Sequence, residues 1–307
     1  YLMKYNILIT DILIKDFVYV FKNNFNVDCL WTLKKNFNFD KYEAIVVTGG
    51  FNTNKKFLEK FNKIKIVSVF GVGFDGVDLT YCKKNNITVT NTPKVLTEDV
   101  ADLALGLLIS LSRKIHESHN FVKQNKWIKK PFELTSSLSD KTVGIVGYGS
   151  IGKAFSKRAK SLSMNIIYTG PNKKNVKFKY YKSLEEMVKI TDYLVLTCIG
   201  GSKTRNLINN KIFTKMKKNA MIINVSRGSV INEKDLIKSL KNKVIAGAAL
   251  DVFDNEPKIN LKIRRQKNIL LSPHNASATS ETRLKMANLA NKNIWNYFHN
   301  LSINKII

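Results

Sequence analysis

Short runs of apolar, β-branched residues alternate with amphipathic stretches from the start of the chain. Tyr5–Thr10, Glu43–Thr48, Ile64–Gly71 and Ile87–Asn91 have the length and composition of strands, and between them Lys55–Phe61 and Val77–Lys84 space apolar residues at helical intervals. Strands and helices in this order predict a parallel sheet with helices on both faces. Pro93 interrupts the pattern, and Thr97 can cap a long helix, rich in Ala and Leu, that runs to about Arg113. Such a helix can join two domains. Past a polar loop with Trp127 and Pro131, a second and longer series begins at Lys141. Its strands are Thr142–Val146, Asn165–Thr169, Tyr193–Thr197, Met221–Val225, Val244–Ala249 and Ile269–Ser272. These near-continuous apolar runs match a doubly wound sheet, whose strands are covered on both faces. A last helix, over about Thr279–His299, follows that sheet and can return to the first domain.

The length of 307 residues fits two domains on a prior of about 150 residues each. No run approaches the roughly 20 apolar residues that a membrane span requires. The longest, Ala104–Leu111, suits a buried helix. Asp11, Lys15 and Asp16 interrupt the apolar N-terminal stretch and no small-residue cleavage site follows, so no secretory leader is expected. Cys29, Cys82 and Cys198 are an odd set without metal-ligand spacing. They imply no metal and no structural disulfide, hence a reducing cytoplasm. The net charge of +28 would by itself suggest nucleic acid or an anionic membrane as partner. The lysines are spread along the whole chain among Asn and Ile rather than gathered into a patch, which argues against both. A general positive field can still steer anionic substrates and cofactors.

Gly147-Tyr148-Gly149-Ser150-Ile151-Gly152 reads G-x-G-x-x-G, directly after the strand Thr142–Val146 and directly before a helix with Ala154, Phe155 and Ala159 on its apolar side. In that context the motif is a dinucleotide fingerprint, with the pyrophosphate at the helix N-terminus. The next strand normally ends in a carboxylate that holds the ribose diol of NAD. Here it ends Tyr168-Thr169-Gly170-Pro171-Asn172-Lys173-Lys174. A missing acid with Lys173 and Lys174 nearby favours a 2′-phosphate, so NADP is expected over NAD.

Of the four histidines, His116, His119 and His299 lie in polar helical surroundings, whereas His274 follows the apolar strand Ile269–Ser272 and Pro273. Arg227 likewise follows the strand ending at Val225, and Glu256 lies just past another, in Asp251-Val252-Phe253-Asp254-Asn255-Glu256-Pro257. Taken singly these could be a capping arginine, a surface ion pair and a strand-end histidine. After three successive strands they bring a cation, a carboxylate and an imidazole to the edge where doubly wound folds bind ligands. Keto-acid reduction needs that trio. An adjacent carboxylate keeps an imidazole able to give a proton, and a guanidinium holds and polarises the acid through paired donors.

These residues resemble the D-isomer-specific 2-hydroxyacid dehydrogenases over nearly the whole chain: Gly71 to Asp78, Asn91-Thr92-Pro93, Val100-Ala101-Asp102, Gly147 to Gly152, Val225 to Gly228, Asp251 to Pro257 and Pro273 to Thr279. The resemblance implies a Rossmann-type cofactor domain, residues 99–278, inserted in a flavodoxin-like α/β substrate domain made of residues 1–98 and 279–307. It implies Arg227, Glu256 and His274 as the catalytic triad. It further implies that backbone at Thr48, Gly49, Gly50, Val72 and Gly73 receives the substrate carboxylate, and that Asp251 meets the nicotinamide carboxamide. Thr97, Tyr148, Ser150, Ile151, Thr169, Cys198, Ile199, Thr204, Val225 and Ser226 are expected to complete the cofactor site. The family is usually homodimeric through the cofactor domain, which would put the Thr97–Arg113 helix and the Trp127 loop in the interface.

This chain departs from the family pattern at Asn275 and Ala276, where an apolar residue and Gly are usual, at Ser150 in place of an Arg, and at Cys198-Ile199-Gly200-Gly201, which lacks a proline. The last feature, with Thr169-Gly170, resembles the glyoxylate, hydroxypyruvate and hydroxyphenylpyruvate reductase side of the family. The expected activity is therefore NAD(P)H-dependent reduction of a small anionic 2-keto acid to its D-2-hydroxy acid. Phosphoglycerate oxidation and a dinucleotide-sensing, corepressor-like binding role are the alternatives.

Overall fold

The structure, a computed structural model, describes residues 4–34 and 37–307. Residues 1–3 of the expected first domain lie outside this range. The chain divides into two compact units: one runs to Leu96 and resumes over Ala278–Ile307, and the other is Thr97–Ser277. Among the described residues no helix is long and apolar enough to cross a membrane.

Among its described residues the first unit holds five parallel strands, β1 (Asn6–Ile9), β2 (Asn26–Cys29), β3 (Ala44–Thr48), β4 (Ile66–Phe70) and β5 (Thr88–Thr90), in the order β2-β1-β3-β4-β5. This is the flavodoxin-like order. Every residue of β3 and β4 is buried, as central strands covered on both faces require. On one face Ile45, Val47, Val67 and Val69 pack with Leu58, Phe61 and Cys82. The other face takes the C-terminal helix, Ser280–Phe298, whose Ala290 carbonyl accepts a hydrogen bond from the Ser68 hydroxyl. The expected strands shorten at their ends, and β2 is an addition that the hydrophobic pattern did not predict.

The second unit opens with the helix Thr97–Arg113, followed by a further helix, Ile115–Lys123, and a helical turn at Lys126–Ile128, where a polar loop was expected. Seven parallel strands follow rather than six: β6 (Thr142–Val146), β7 (Asn165–Thr169), β8 (Lys179–Tyr181), β9 (Tyr193–Leu196), β10 (Met221–Asn224), β11 (Gly247–Leu250) and β12 (Ile269–Leu271). Their order is β12-β11-β10-β9-β6-β7-β8, doubly wound as expected, with the reversal between β6 and β9. β11 starts three residues later than the apolar run suggests. The Val244 amide is still bonded to the Ser239 carbonyl of the preceding helix, so Val244 and Ile245 belong to the connecting turn although Ile245 is fully buried.

Candidate functional site

The reversal of strand order leaves a crevice at the carboxyl end of β6, and the glycine turn sits there. Gly147 has φ +94, and a Cβ on it would stand 2.5 Å from the Cα of Cys198, just past β9. Only glycine allows both the conformation and this approach. The helix Ser150–Ser161 starts three residues later, with Gly149 and Ser150 exposed and no atom within 4 Å of a Cβ built on Gly149. Open backbone at a helix N-terminus suits a pyrophosphate, so these residues fit a dinucleotide. Tyr148 contributes only backbone to that edge. Its ring is buried against Tyr168 and Phe178, and its hydroxyl bonds Ser156 at 2.8 Å. Thr169 is buried at the end of β7, its carbonyl accepting from the Gly147 amide. Lys173 and Lys174 are exposed beyond it. On the β9 side the Thr204 hydroxyl bonds the Ile199 carbonyl at 2.7 Å, closing the loop after Cys198, and Ile199 projects into solvent. Thr97 is the first residue of its helix, and Val225 and Ser226 are buried just past β10.

The structure brings Arg227, Glu256 and His274 together on the carboxyl edge of β10, β11 and β12, which are adjacent strands. The Nδ1 of His274 lies 2.6 Å from Oε2 of Glu256. The other carboxylate oxygen, Oε1, accepts from the Phe253 amide at 2.8 Å, which fixes the carboxyl plane. Burial alone would raise the Glu256 pKa. The hydrogen bond and charge of His274, the Phe253 amide and the nearby Arg227 guanidinium outweigh it and hold the carboxyl below its ordinary value. Glu256 is therefore an ionised acceptor at neutral pH, and the proton between the pair resides on Nδ1. Nε2 is the ring nitrogen that does not engage Glu256. Arg227 is fixed by its own chain, the guanidinium donating to the Ser226 carbonyl at 2.7 Å and the Arg227 carbonyl accepting from the Asn224 amide group at 2.9 Å. Its neighbour Gly228 sets the spacing: a Cβ there would fall 1.8 Å from the carbonyl carbon of Phe253, so only glycine lets the Arg227 loop press against the Glu256 loop.

His274 itself has φ +51, a left-handed conformation that a non-glycine residue adopts at a cost. Asp251, fully buried at the end of β11, holds it there. Its carbonyl accepts from the His274 amide at 2.7 Å, and its two carboxylate oxygens accept from the Asn275 and Ala276 amides at 2.9 and 3.1 Å. The Asn275 side chain in turn accepts from the Ser272 hydroxyl at 2.5 Å. The family resemblance implied Asp251 as a cofactor contact, and the sequence gave no sign of this backbone clamp, which joins residues more than twenty positions apart. His116, His119 and His299 are exposed, as their polar context suggested.

In the first unit the residues expected to receive a carboxylate gather at the carboxyl ends of β3 and β4. The Gly76 amide donates to the Gly49 carbonyl at 2.9 Å, drawing the two loops together, and the Thr48 hydroxyl donates to Asp11 at 2.5 Å. Gly50, Val72 and Gly73 flank this junction.

A sequence profile of the D-isomer specific 2-hydroxyacid dehydrogenase NAD-binding domain matches residues 105–276. A glyoxylate/hydroxypyruvate reductase of Arabidopsis thaliana is 38% identical over 261 residues, 85% of this chain and 83% of the relative. A glyoxylate reductase of Thermococcus litoralis is 40% identical over 262 residues, 82% of this chain and 79% of the relative. Among solved structures, an NADPH-dependent glyoxylate/hydroxypyruvate reductase of Sinorhizobium meliloti, crystallised with NADP and malonate, superposes with a TM-score of 0.90 at 30% identity, covering 99% of this chain and 97% of that one.

Proposed function

The chain belongs to the D-isomer specific 2-hydroxyacid dehydrogenases, and we propose that it reduces a small 2-keto acid of the glyoxylate or hydroxypyruvate type to the D-2-hydroxy acid, with NADPH preferred over NADH. The observation that carries this reading is the 2.6 Å pairing of His274 with Glu256 beside Arg227, on three neighbouring strand ends of the sheet that bears the glycine turn. The bound nicotinamide supplies the hydride. His274 gives the proton from Nε2 to the carbonyl oxygen, Glu256 keeps the imidazole oriented and offsets its charge, and Arg227 polarises the acid. Gly147, Tyr148, Gly149, Ser150, Ile151 and Gly152 hold the pyrophosphate through backbone. Thr97, Thr169, Cys198, Ile199, Thr204, Val225, Ser226 and Asp251 line the rest of the cofactor site, and backbone at Thr48, Gly49, Gly50, Val72 and Gly73 takes the substrate carboxylate.

The preference for NADPH rests on the absence of a carboxylate from the segment after β7 and on Lys173 and Lys174 within it; the Sinorhizobium relative named above is NADPH-dependent. Trp127, Ile128 and Leu134, 67%, 84% and 97% exposed, support a homodimer formed through the second unit. Three free cysteines support a cytoplasmic enzyme.

The test is a kinetic matrix of NADH and NADPH against glyoxylate, hydroxypyruvate, pyruvate, phenylpyruvate and, in the oxidative direction, 3-phosphoglycerate. Turnover should be highest with glyoxylate or hydroxypyruvate and NADPH. His274→Gln should abolish turnover and leave NADPH binding, followed by nucleotide fluorescence, within about twofold. A variant that keeps near wild-type rate would remove His274 as the acid.

A further inference from the structure

The first unit contains a cation that the activity described above does not use. Arg283 lies in the first turn of the C-terminal helix, half-buried, with its guanidinium 5.7 Å over the ring of Phe70, the last residue of β4. Burial lowers its pKa, and the charge of Asp11 opposes that change. Asp11 is itself engaged elsewhere: one oxygen accepts from the Thr48 hydroxyl and the other from the Leu13 amide at 3.0 Å. Among the described residues no carboxylate stands within ion-pair distance of Arg283. Such a charge is costly to bury and gains most from an anion with two oxygens.

Its position specifies the anion. Asp11, Thr48 and Phe70 mark the carboxyl ends of β1, β3 and β4, three neighbouring strands. Ligands of open parallel sheets bind outside that edge. Gly50 and Gly71, on the same edge, have no atom within 4 Å of where a Cβ would stand, so the backbone there is open to a small molecule. We propose that Arg283 is a substrate-binding residue of the first unit, taking the carboxylate of the 2-keto acid in a paired, planar contact beside the backbone at Thr48–Gly50 and Val72–Gly73. The inference rests on the substrate class proposed above and adds a residue to it. Neither the sequence pattern nor the triad points to Arg283, because helix and strand ends meet only in the fold.

The experiment compares wild type with Arg283→Gln and Arg283→Lys, using glyoxylate and NADPH for turnover and oxamate, which cannot be reduced, as a competitive probe of carboxylate binding. Arg283→Gln should raise KM for glyoxylate and the oxamate inhibition constant together by about tenfold or more, with KM for NADPH within twofold. Arg283→Lys, which keeps the charge and loses the fork, should fall between. Should the Gln variant fail to fold, the Lys variant carries the test, with an expected threefold or greater rise in both constants at unchanged kcat. Variants whose glyoxylate KM and oxamate constant stay within twofold of wild type would overturn the inference, as would a loss of kcat alone. A wild type that turns over no 2-keto acid would instead remove the substrate reading on which it rests.

Discussion

Asp251 and His274 are joined by a 2.7 Å hydrogen bond from the histidine amide to the aspartate carbonyl, and the Asp251 carboxylate secures the next two amides of the same turn. The left-handed φ of His274 is thus held by a buried charge satisfied entirely by backbone. Asp251→Asn keeps the size but replaces one acceptor oxygen with an NH2 group, which would face an amide donor. Hydrogen bonds to a charged group are each worth about 1.5–3 kcal/mol, so the variant should lose at least that much stability and its His274 turn should relax. We expect kcat to fall about a hundredfold or more with KM for NADPH much less affected, measured by steady-state kinetics beside thermal unfolding. An unchanged kcat would show that the clamp has no part in placing the imidazole.

The Glu256 carboxyl is held below its ordinary value, mainly against burial, by His274, the Phe253 amide and Arg227. A carboxyl depressed on folding binds fewer protons than in the unfolded chain, so its contribution to stability is complete above the ordinary carboxyl pKa of 4.5 and is lost as pH falls through the lower folded value. The urea midpoint should therefore be level with respect to this group between pH 7 and about 5.5 and should fall below about pH 4.5. Glu256→Gln should flatten that acid limb relative to wild type, and its kcat should drop because the amide can present NH2 instead of oxygen to Nδ1. Parallel acid limbs in the two proteins would contradict the assignment.

Central strands were legible because parallel strands covered on both faces must be apolar throughout: β3, β4, β6 and β7 stand within a residue or two of their expected positions. Edge strands need no such pattern. β2 is Asn26-Val27-Asp28-Cys29 and β8 is Lys179-Tyr180-Tyr181, both partly exposed and polar enough to pass as loop. The glycine turn and the strand-end placement of Arg227, Glu256 and His274 were legible from position, since a strand end in a doubly wound sheet already defines the side on which a residue emerges. Long-range partners were not. Nothing near Asp251 in the chain reveals that it holds residues 274–276, and nothing in the motif shows that Tyr148 turns its ring into the core while the glycines beside it stay open.

Gly228 is pressed against the loop that carries Glu256, its Cβ position falling 1.8 Å from the Phe253 carbonyl carbon and 2.2 Å from the Asp254 nitrogen. Both are backbone atoms and cannot swing aside. Gly228→Ala must therefore separate the Arg227 loop from the Glu256 loop. We expect a loss of roughly 1–3 kcal/mol, the range for overpacked core sites, and a fall in kcat/KM larger than that of the Gly106→Ala control in the helix Thr97–Arg113, where no atom lies within 4 Å. Chemical denaturation with parallel kinetics checks both. A fully stable and active Gly228→Ala enzyme would mean that the two loops need not touch.

The segment after β7 tests the choice of cofactor. Lys174 is fixed by its backbone, its amide donating to the Tyr168 hydroxyl at 2.8 Å while that hydroxyl donates to the Lys174 carbonyl at 3.2 Å. The loop is therefore set by a buried ring, and the exposed lysine side chains can be exchanged without disturbing it. A 2′-phosphate carries close to two negative charges at neutral pH, and each exposed lysine facing it is worth about 1 kcal/mol or less in screened solution. The double variant Lys173→Ala/Lys174→Ala should then raise KM for NADPH by about fivefold to thirtyfold, leave KM for NADH within twofold, and lessen the salt dependence of the NADPH reaction. Equal effects on both cofactors would place the lysines away from the 2′ position. A wild type that favours NADH would mean that the missing carboxylate, rather than the lysines, had been misread.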